Sequence, residues 1–241
     1  MSGLLSIFSR RRPGLDCSVV VVAAGTASRM QGIDKILAPL GDIPILVRTL
    51  RVFQRCSHVT EIVVVTREDL LVKIGDLCKD YSLDKVSKIV VGGAERVLSV
   101  RAGLREVREQ AQLIAIHDGA RPFLSDAVLD EVLRQAAATG AAAPAVAVND
   151  TIKRAEQGVV EQTVDRSCLW AVQTPQVFQA DLIRAAVEKA VSDNAQVTDD
   201  CSAVERLGMK VVLTAGDREN IKVTTPFDMI LGETILTQRG E

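Results

Sequence analysis

The residues best suited to chemistry begin in a loop of small side chains, residues 23–30 (AAGTASRM), directly after a β-branched run. Small residues let a backbone approach a phosphate chain closely, and successive N–H groups can point at its oxygens. Within this loop Arg29 carries positive charge, and Lys35 follows shortly after it. The loop matches neither the dinucleotide pattern nor the P-loop pattern. Taken alone, it predicts either a triphosphate-binding loop or simply a tight turn after a strand.

A second candidate is the segment 117–122 (HDGARP), which follows an apolar run. If that run is a strand, Asp118 stands at its end, where a carboxylate suits magnesium shared with phosphate oxygens. The alternative for Asp118 is a turn residue that caps the loop. For His117 the pattern favours a packed, hydrogen-bonded histidine.

Three further segments combine hydroxyls, amides and charge: residues 163–166 (TVDR), 173–176 (QTPQ) and 198–200 (TDD). Arginine and hydroxyl groups suit a phosphorylated, hydroxyl-rich substrate through charge-assisted hydrogen bonds. The structural alternatives are an arm salt bridge, an X-Pro turn and a helix N-cap. For Thr198 the cap is a strong alternative, and both roles can coexist.

A last candidate is Lys222, in the segment 220–224 (NIKVT) near the end of the chain. A lysine between apolar strand residues either extends to the surface or points into a site. Without further information the pattern favours extension to the surface.

The elements that must position these residues alternate between strand and helix. Continuous apolar runs predict buried strands, and they lie at residues 18–24, 62–66, 88–91, 113–116 and 145–148. Apolar stripes at helical spacing lie between them, one through Val97, Val100, Leu104 and Val107, and another begun by Ser125 and Asp126. This alternation predicts an α/β fold with a mostly parallel, doubly wound sheet. Ligands of such sheets bind at the carboxyl ends of the strands, where the first loop lies.

The alternation breaks after residue 148. Residues 150–165 are polar and partly alternating around Gln157-Gly158, which predicts a two-stranded β-arm with its turn at Gly158. Such an arm buries little alone, so it must pack on something else, and a partner subunit is one candidate. Helical patterns resume at residues 182–190, from Thr198 to Gly208 and after Pro226, with late strands predicted at 210–214 and 220–223.

Composition excludes several classes of protein. The 241 residues are 47% hydrophobic and 3% aromatic, with a net charge of −2. These values argue against a nucleic-acid partner and against a membrane partner. The five cysteines are odd in number and contain no C-x-x-C, so a zinc site is not expected and a reduced, cytoplasmic location is. Residues 1–16 do not match a signal peptide and are predicted to form a flexible tail, which leaves residues 17–241 as one domain.

Together and in this order, the segments resemble the 2-C-methyl-D-erythritol 4-phosphate cytidylyltransferase family. The resemblance covers about residues 17–237, nearly the whole chain. It is carried by the segments AAGTASRM, Lys35, GGAERVLSV, HDGARP, DTIKR, TVDRSCLW, QTPQVF, VTDD and NIKVT. Each segment is weak alone, but nine in register are highly specific.

The resemblance implies a nucleotidyltransferase (Rossmann-like) fold, a homodimer clasped by the β-arm near residues 149–166, and the use of magnesium and CTP. It also implies roles for single residues. The nucleotide-binding set is Ala23, Ala24, Gly25, Arg29, Lys35, Gly93, Ser99, Asp118 and Gly119. The substrate-binding set is Asp118, Arg121, Thr151, Arg166, Thr174, Thr198 and Lys222, with Thr151 and Arg166 reaching the other subunit's substrate. Arg29, Lys35 and Lys222 are the implied catalytic cations, and Asp118 is the magnesium ligand.

The sequence departs from the family in the first loop, where Ala27 replaces a second glycine and Ser28 a common basic residue. Ala94 likewise replaces an acidic residue often found after the paired glycines. These differences bear on CTP affinity more than on reaction type.

The segments offer cations but no nucleophile and no obvious base. A phosphate monoester is largely dianionic at neutral pH, so we expect its oxygen to attack the α-phosphorus of CTP directly and in line, releasing pyrophosphate. The nearest rival is a cytidylyltransferase for another alditol phosphate, such as ribitol 5-phosphate. More distant rivals are a nicotinamide oxidoreductase, disfavoured because G-x-G-x-x-G is absent, and a non-catalytic nucleotide-binding protein of the same fold.

Overall fold

The computed structural model describes residues 15–25 and 34–241. The strands are β1 (Cys17–Val22), β2 (Pro39–Leu40), β3 (Ile43–Pro44), β4 (Val59–Thr66), β5 (Val86–Val91), β6 (Leu113–Asp118), β7 (Ala141–Ala147), β8 (Lys153–Glu156), β9 (Val159–Thr163), β10 (Trp170–Val172), β11 (Gln176–Gln179) and β12 (Val212–Ala215). The helices are α1 (Ile45–Arg55), α2 (Leu71–Asp80), α3 (Arg96–Glu106), α4 (Asp126–Thr139), α5 (Ala180–Ser192), α6 (Asp200–Glu205) and α7 (Pro226–Arg239). Short 3₁₀ turns lie at Lys35–Leu37, Glu68–Leu70 and Arg166–Cys168.

Eight strands of the described chain form the central sheet, in the order β10-β7-β11-β6-β1-β4-β5, with β12 paired to β7. Strands β5, β4, β1 and β6 run parallel, which confirms the fold class predicted from the apolar runs. The topological switch point of the sheet lies between β1 and β6. From β1 the chain adds β4 and β5 on one side, and it then crosses back to add β6 on the other side of β1. Loops that leave the carboxyl ends of β1 and β6 therefore open side by side, which is where α/β sheets bind ligands.

Helices cover both faces of the sheet because successive strand residues point to opposite sides. Helices α1, α2 and α4 pack with Val19, Val21 and Val64 on one face. Helices α3, α5 and α6 pack with Val20 and Val63 on the other. In the described ranges no helix combines the length and the apolar character needed to cross a membrane.

The C-terminal half contains the differences from the predicted elements. Strand β7 begins at Ala141, four residues before the predicted start, because alanine and Pro144 give a weak strand signal. The predicted strand at 220–223 is wrong, since that segment forms a loop without strand pairing. Helix α6 is capped by Asp199, whose carboxylate accepts the N–H of Ser202 at 2.9 Å, so the alternative role of Thr198 as the cap is not the one that the structure shows.

The arm forms as predicted within the chain itself. Strands β8 and β9 pair only with each other in the described structure, around a turn in which Gln157 and Gly158 both have positive φ. Their side chains are exposed along their whole length, including Val159 and Val160, which are 71% and 55% exposed. An isolated two-stranded hairpin buries too little to hold its position alone.

Candidate active site

A cavity of about 510 Å³ opens where β1, β4, β5 and β6 end. Nine of the residues predicted from the sequence line it: Ala23, Ala24, Gly25, Lys35, Gly93, Ser99, Asp118, Gly119 and Lys222. The loops are held to one another by backbone bonds. Gly119 N–H donates to the carbonyl of Val22 at 2.9 Å, and Ala23 N–H donates to that of Val65 at 2.7 Å. The sheet edge itself therefore brings these separate segments together.

Three cations converge on the carboxylate of Asp118, the last residue of β6. Arg96 contacts its Oδ1 at 2.7 Å, while Lys222 and Arg121 contact Oδ2 at 3.0 and 3.4 Å. Burial of Asp118 would raise its pKa, but the positive charges of Arg96, Lys222 and Arg121 outweigh it and hold the pKa below its usual range. The carboxylate is therefore ionised throughout the neutral range and fixes the cations at one end of the cavity.

The position of Asp118 is set by residues behind it. The hydroxyl of Thr174 accepts the N–H of Asp118 at 3.1 Å and also lies 3.0 Å from Nδ1 of His117. The other ring nitrogen of His117 lies 3.1 Å from the carbonyl of Arg121. His117 is fully buried, which lowers its pKa to about 4, so it is a neutral, hydrogen-bonded histidine as predicted. Thr174 is 5% exposed and supports the Asp118 loop; its predicted contact with substrate stays a prediction.

Lys222 points into the cavity because the residues on either side of it are fixed. Asn220 is fully buried and donates from its side chain to the carbonyl of Thr174 at 3.0 Å. Val223 is also fully buried, and its N–H donates to the carbonyl of Ala120 at 2.8 Å. Lys222 therefore lines the cavity and pairs with Asp118, and the interpretation from its own segment, that it extends to the surface, is wrong; its side chain is 43% exposed.

The cavity wall formed by the GGAERVLSV segment is braced from within. The hydroxyl of Ser99 accepts the N–H of Gly93 at 3.1 Å, and Ser99 is 3% exposed. A side chain at Gly92 would approach Ala24 and the Ser99 hydroxyl to 2.7 Å, so only glycine fits where this loop meets the first one. The structure thus brings Gly93 and Ser99 to the cavity, and their contacts with cytidine stay predictions.

Two cations in the cavity wall were missed by the sequence analysis. Arg67 follows β4 and pairs with Asp34 and Asp69. Arg96 is the first residue of α3 and belongs to the segment GGAERVLSV, which is the signal in the sequence that points to it. Burial would lower the pKa of Arg96, but the carboxylates of Asp200 and Asp118 raise it above its ordinary value.

Five of the predicted substrate residues are not part of the cavity lining: Arg121, Thr151, Arg166, Thr174 and Thr198. Arg121 and Thr174 contact Asp118 instead. Thr151 and Arg166 lie on exposed chain at the base of the arm, where Arg166 donates to the carbonyl of Asn149. Thr198 is exposed just before α6. Arg29, Ala27 and Ser28 fall outside the described residues.

The oxygen donors of the cavity bear on whether it can hold magnesium. No group of three or more His, Cys, Asp or Glu side chains that suits a metal occurs in residues 15–25 and 34–241. Among the described residues that line the cavity, Asp118 is the one with a buried carboxylate, and both of its oxygens are in contact with cations. The donor set fits an ion bound through one carboxylate, water and substrate phosphates, which is how Mg²⁺ is commonly held.

An open, doubly wound sheet with a cation-lined cavity at its carboxyl edge defines an α/β nucleotidyltransferase, a conclusion that the comparisons with known proteins make more specific. The sequence pattern of the 2-C-methyl-D-erythritol 4-phosphate cytidylyltransferases matches residues 17–238. The chain belongs to this family, and its activity is CTP-dependent cytidylyl transfer in the methylerythritol phosphate route to isoprenoids.

The individual similarities extend over nearly the whole chain. The enzyme of that name from Halalkalibacterium halodurans is 43% identical over 93% of this chain and 99% of its own length. The one from Geobacillus kaustophilus is 44% identical over the same shares. The crystal structure of 4-diphosphocytidyl-2C-methyl-D-erythritol synthase from Anaerococcus prevotii superposes with a TM-score of 0.81 at 31% identity, covering 92% of this chain and 96% of that one.

Proposed function

We propose that the enzyme transfers CMP from CTP to 2-C-methyl-D-erythritol 4-phosphate by direct in-line attack of the substrate phosphate on the α-phosphorus. The observation that carries this proposal is the convergence of Arg96, Arg121 and Lys222 on Asp118 in a cavity also lined by Lys35. A dianionic phosphate needs no base, and the cavity's described lining contains no cysteine, while its Ser99 hydroxyl is bonded to Gly93. Positioning and charge stabilisation remain as the sources of catalysis.

The role of each residue follows from its charge and from its position in the cavity or in the adjoining loop. Arg29 and Lys35 hold the triphosphate and the departing pyrophosphate, and the backbone of Ala23, Ala24 and Gly25 lies against the phosphate chain. Lys222 neutralises charge that builds up at the α-phosphorus, for which its half-exposed ammonium beside Asp118 is well placed.

Magnesium is proposed as the divalent cation, with Asp118 as its protein ligand. When bound it would neutralise and orient the phosphate oxygens of CTP. The protein's own part is to hold the Asp118 carboxylate ionised and in a fixed orientation, through the N–H contact to Thr174 and the adjoining cations.

The active form is proposed to be a cytoplasmic homodimer. Val159 and Val160 on the arm and Trp170 on β10, which is 49% exposed, are large apolar side chains left in solvent, and such side chains are suited to contact with a second copy of the chain. Clasping by the arm would bring Thr151 and Arg166 to the substrate of the partner. The odd number of five cysteines suits a reducing compartment.

The test is pyrophosphate release from CTP and Mg²⁺, with 2-C-methyl-D-erythritol 4-phosphate and ribitol 5-phosphate offered in parallel. Fast release with the first alone is the expected result. Release with ribitol 5-phosphate alone would reject the assigned acceptor, and a trapped cytidylyl-enzyme would reject direct attack.

A further inference from the structure

Arg96 holds two buried carboxylates with the two ends of its guanidinium group. One terminal nitrogen lies 2.7 Å from Oδ1 of Asp118, and the other lies 2.7 Å from Oδ2 of Asp200. The two aspartates are 6% and 3% exposed and stand 82 positions apart in the sequence, at the end of β6 and the start of α6. A planar guanidinium suits such a bridge, whereas a single ammonium does not.

The two ends of this bridge belong to different halves of the proposed site. Asp118 lies in the cavity assigned to CTP and the metal. Asp200 is the first residue of α6, directly after Thr198 and Asp199 in the segment assigned to the acceptor substrate. Gln176 on β11 fixes the same helix start, since its side chain donates to Asp199 at 2.8 Å and accepts the N–H of Cys201 at 2.9 Å.

We propose that Arg96 is a positioning residue for the transfer, which sets the acceptor-side helix α6 at a fixed distance from the nucleotide-side carboxylate Asp118. This inference rests on the proposed function. In-line attack requires the acceptor oxygen to lie close to the α-phosphorus and in line with the leaving group, and a displacement of about 1 Å costs roughly a hundredfold in rate. Because both terminal nitrogens of Arg96 are engaged by carboxylates, its main contribution is to this spacing.

Loss of the bridge should leave nucleotide binding largely intact, because Asp118 has other partners. Asp118 keeps its contacts with Lys222 at 3.0 Å and Arg121 at 3.4 Å when Arg96 is changed. Asp200, in contrast, is fully enclosed, which raises its pKa, and Arg96 opposes that rise. The acceptor side therefore depends on Arg96 more than the nucleotide side does.

The experiment is a double-mutant cycle on the full-length enzyme, using Arg96→Lys, Asp200→Asn and the combination. We expect each single variant to lower kcat about 10- to 100-fold and to raise KM for the acceptor, with KM for CTP within about threefold of wild type. The double variant should be little worse than either single one, because both break the same bridge. Arg101→Lys is the matched control, since Arg101 lies on α3, is 29% exposed like Arg96 at 28%, and faces Glu188 instead of the site.

Melting temperatures of all variants separate loss of folding from loss of positioning, and Arg96→Lys retains the charge so that folding is maintained. Additive effects of the two substitutions would overturn the proposal. A rise in KM for CTP in Arg96→Lys but not in Asp200→Asn would also overturn the proposal. That result would mean that Arg96 binds a phosphate of CTP itself. Absence of pyrophosphate release by the wild type would defeat the proposed function as well, whereas normal wild-type release with additive variants would defeat only this inference.

Discussion

The hydroxyl of Thr174 lies 3.0 Å from Nδ1 of the buried His117 ring. The opposite nitrogen, Nε2, lies 3.1 Å from the carbonyl oxygen of Arg121, which can only accept a hydrogen bond. The proton is therefore on Nε2, and Nδ1 accepts from Thr174. The same hydroxyl accepts the N–H of Asp118, so the neutral histidine and the threonine together hold the loop that carries the carboxylate.

The first prediction concerns the stability of this arrangement in acid. Burial lowers the pKa of His117 from 6.5 to about 4, so the unfolded chain takes up a proton at a higher pH than the folded one. The stabilisation is fully present above pH 6.5 and is lost as the pH falls towards 4, by up to roughly 3 kcal/mol. Urea unfolding at several pH values should therefore show the wild type losing its advantage over His117→Gln across this window.

A difference between wild type and His117→Gln that stays constant from pH 7 to pH 4 would contradict the neutral, buried state of His117. Thr174→Val provides a second check. It removes the donor to Nδ1 and should destabilise the fold by about 1 kcal/mol at pH 7.

The second prediction concerns Lys222. Its Nζ lies 3.0 Å from Asp118, and its side chain is 43% exposed, so it contributes charge to the site and little to the core. Lys222→Ala should lower kcat by about 10²–10³ with a nearly unchanged melting temperature, by analogy with the loss of one oxyanion donor. Lys210→Ala, at an exposed position before β12, is the control and should keep wild-type turnover. Near-normal turnover of Lys222→Ala would remove this lysine from the mechanism.

The third prediction concerns Asp118, which compensates three cations. Asp118→Asn should abolish most activity, raise the Mg²⁺ concentration needed for what remains, and cost about 1–3 kcal/mol of stability because Arg96 and Arg121 lose a counter-ion. The pKa of Asp118 is held below its ordinary value, so its contribution is present above pH 4 and is lost only in stronger acid. The stability difference should therefore be the same at pH 8 and pH 5. A variant with an unchanged Mg²⁺ requirement would argue against the metal assignment.

The parallel half of the sheet could be predicted from the sequence because its strands are buried on both faces. The sequences of β1 and β4 are rich in β-branched residues, and a continuous run of this kind is typical of a strand that is buried on both faces of a parallel sheet. Strand β11 gave no comparable signal, since it has four residues with glutamine at both ends. The segment at 220–223 has apolar residues like a strand, but Asn220 is buried through hydrogen bonds to the loop at Thr174, which only the tertiary structure supplies.

The sequence predicts which residues belong to the candidate site, but it does not predict the ion pairs that they form with one another. Asp118 and Lys222 are predicted as site residues because each lies in a segment that resembles a segment of the family. The ion pairs depend on side chains from α3, β6 and the segment before α7 meeting at one point, and no local pattern encodes that distance. The sequence therefore predicts no role for Arg96, although this residue stands four positions after Gly92 in the segment GGAERVLSV.

The fourth prediction concerns the placement of α3, and hence of Arg96 at its start. A methyl group at Gly103 would lie 2.5 Å from Val20 and 2.7 Å from Val65, so the helix rests directly on the sheet. Gly103→Ala should therefore destabilise the protein by about 1–3 kcal/mol despite alanine's better helix propensity. Gly75→Ala in α2 is the matched control, since its nearest contact is Ile89 at 3.8 Å, and it should stabilise by up to about 1 kcal/mol. Thermal unfolding that ranks the two variants in the opposite order would contradict this close packing.

The fifth prediction concerns the arm. Val159 is 71% exposed on β9, a strand that pairs only with β8 in the described structure, and Val160 beside it is 55% exposed. If these valines pack on a second copy of the chain, Val159→Asp would place a charge in the interface and shift the protein to monomer, with turnover falling because Arg166 no longer reaches the partner's substrate. Sedimentation equilibrium measures the first effect and pyrophosphate release the second.

The control for the arm is Val72→Asp, at a valine on α2 that is 77% exposed and far from the arm in sequence. It adds the same charge to the same residue type and should change neither mass nor rate, because Val72 lies on α2 and not on the arm that is proposed to form the interface. If Val159→Asp lowers turnover while the mass stays that of a dimer, the arm acts on the substrate without holding the dimer together. If both variants remain dimeric and fully active, the arm has neither role.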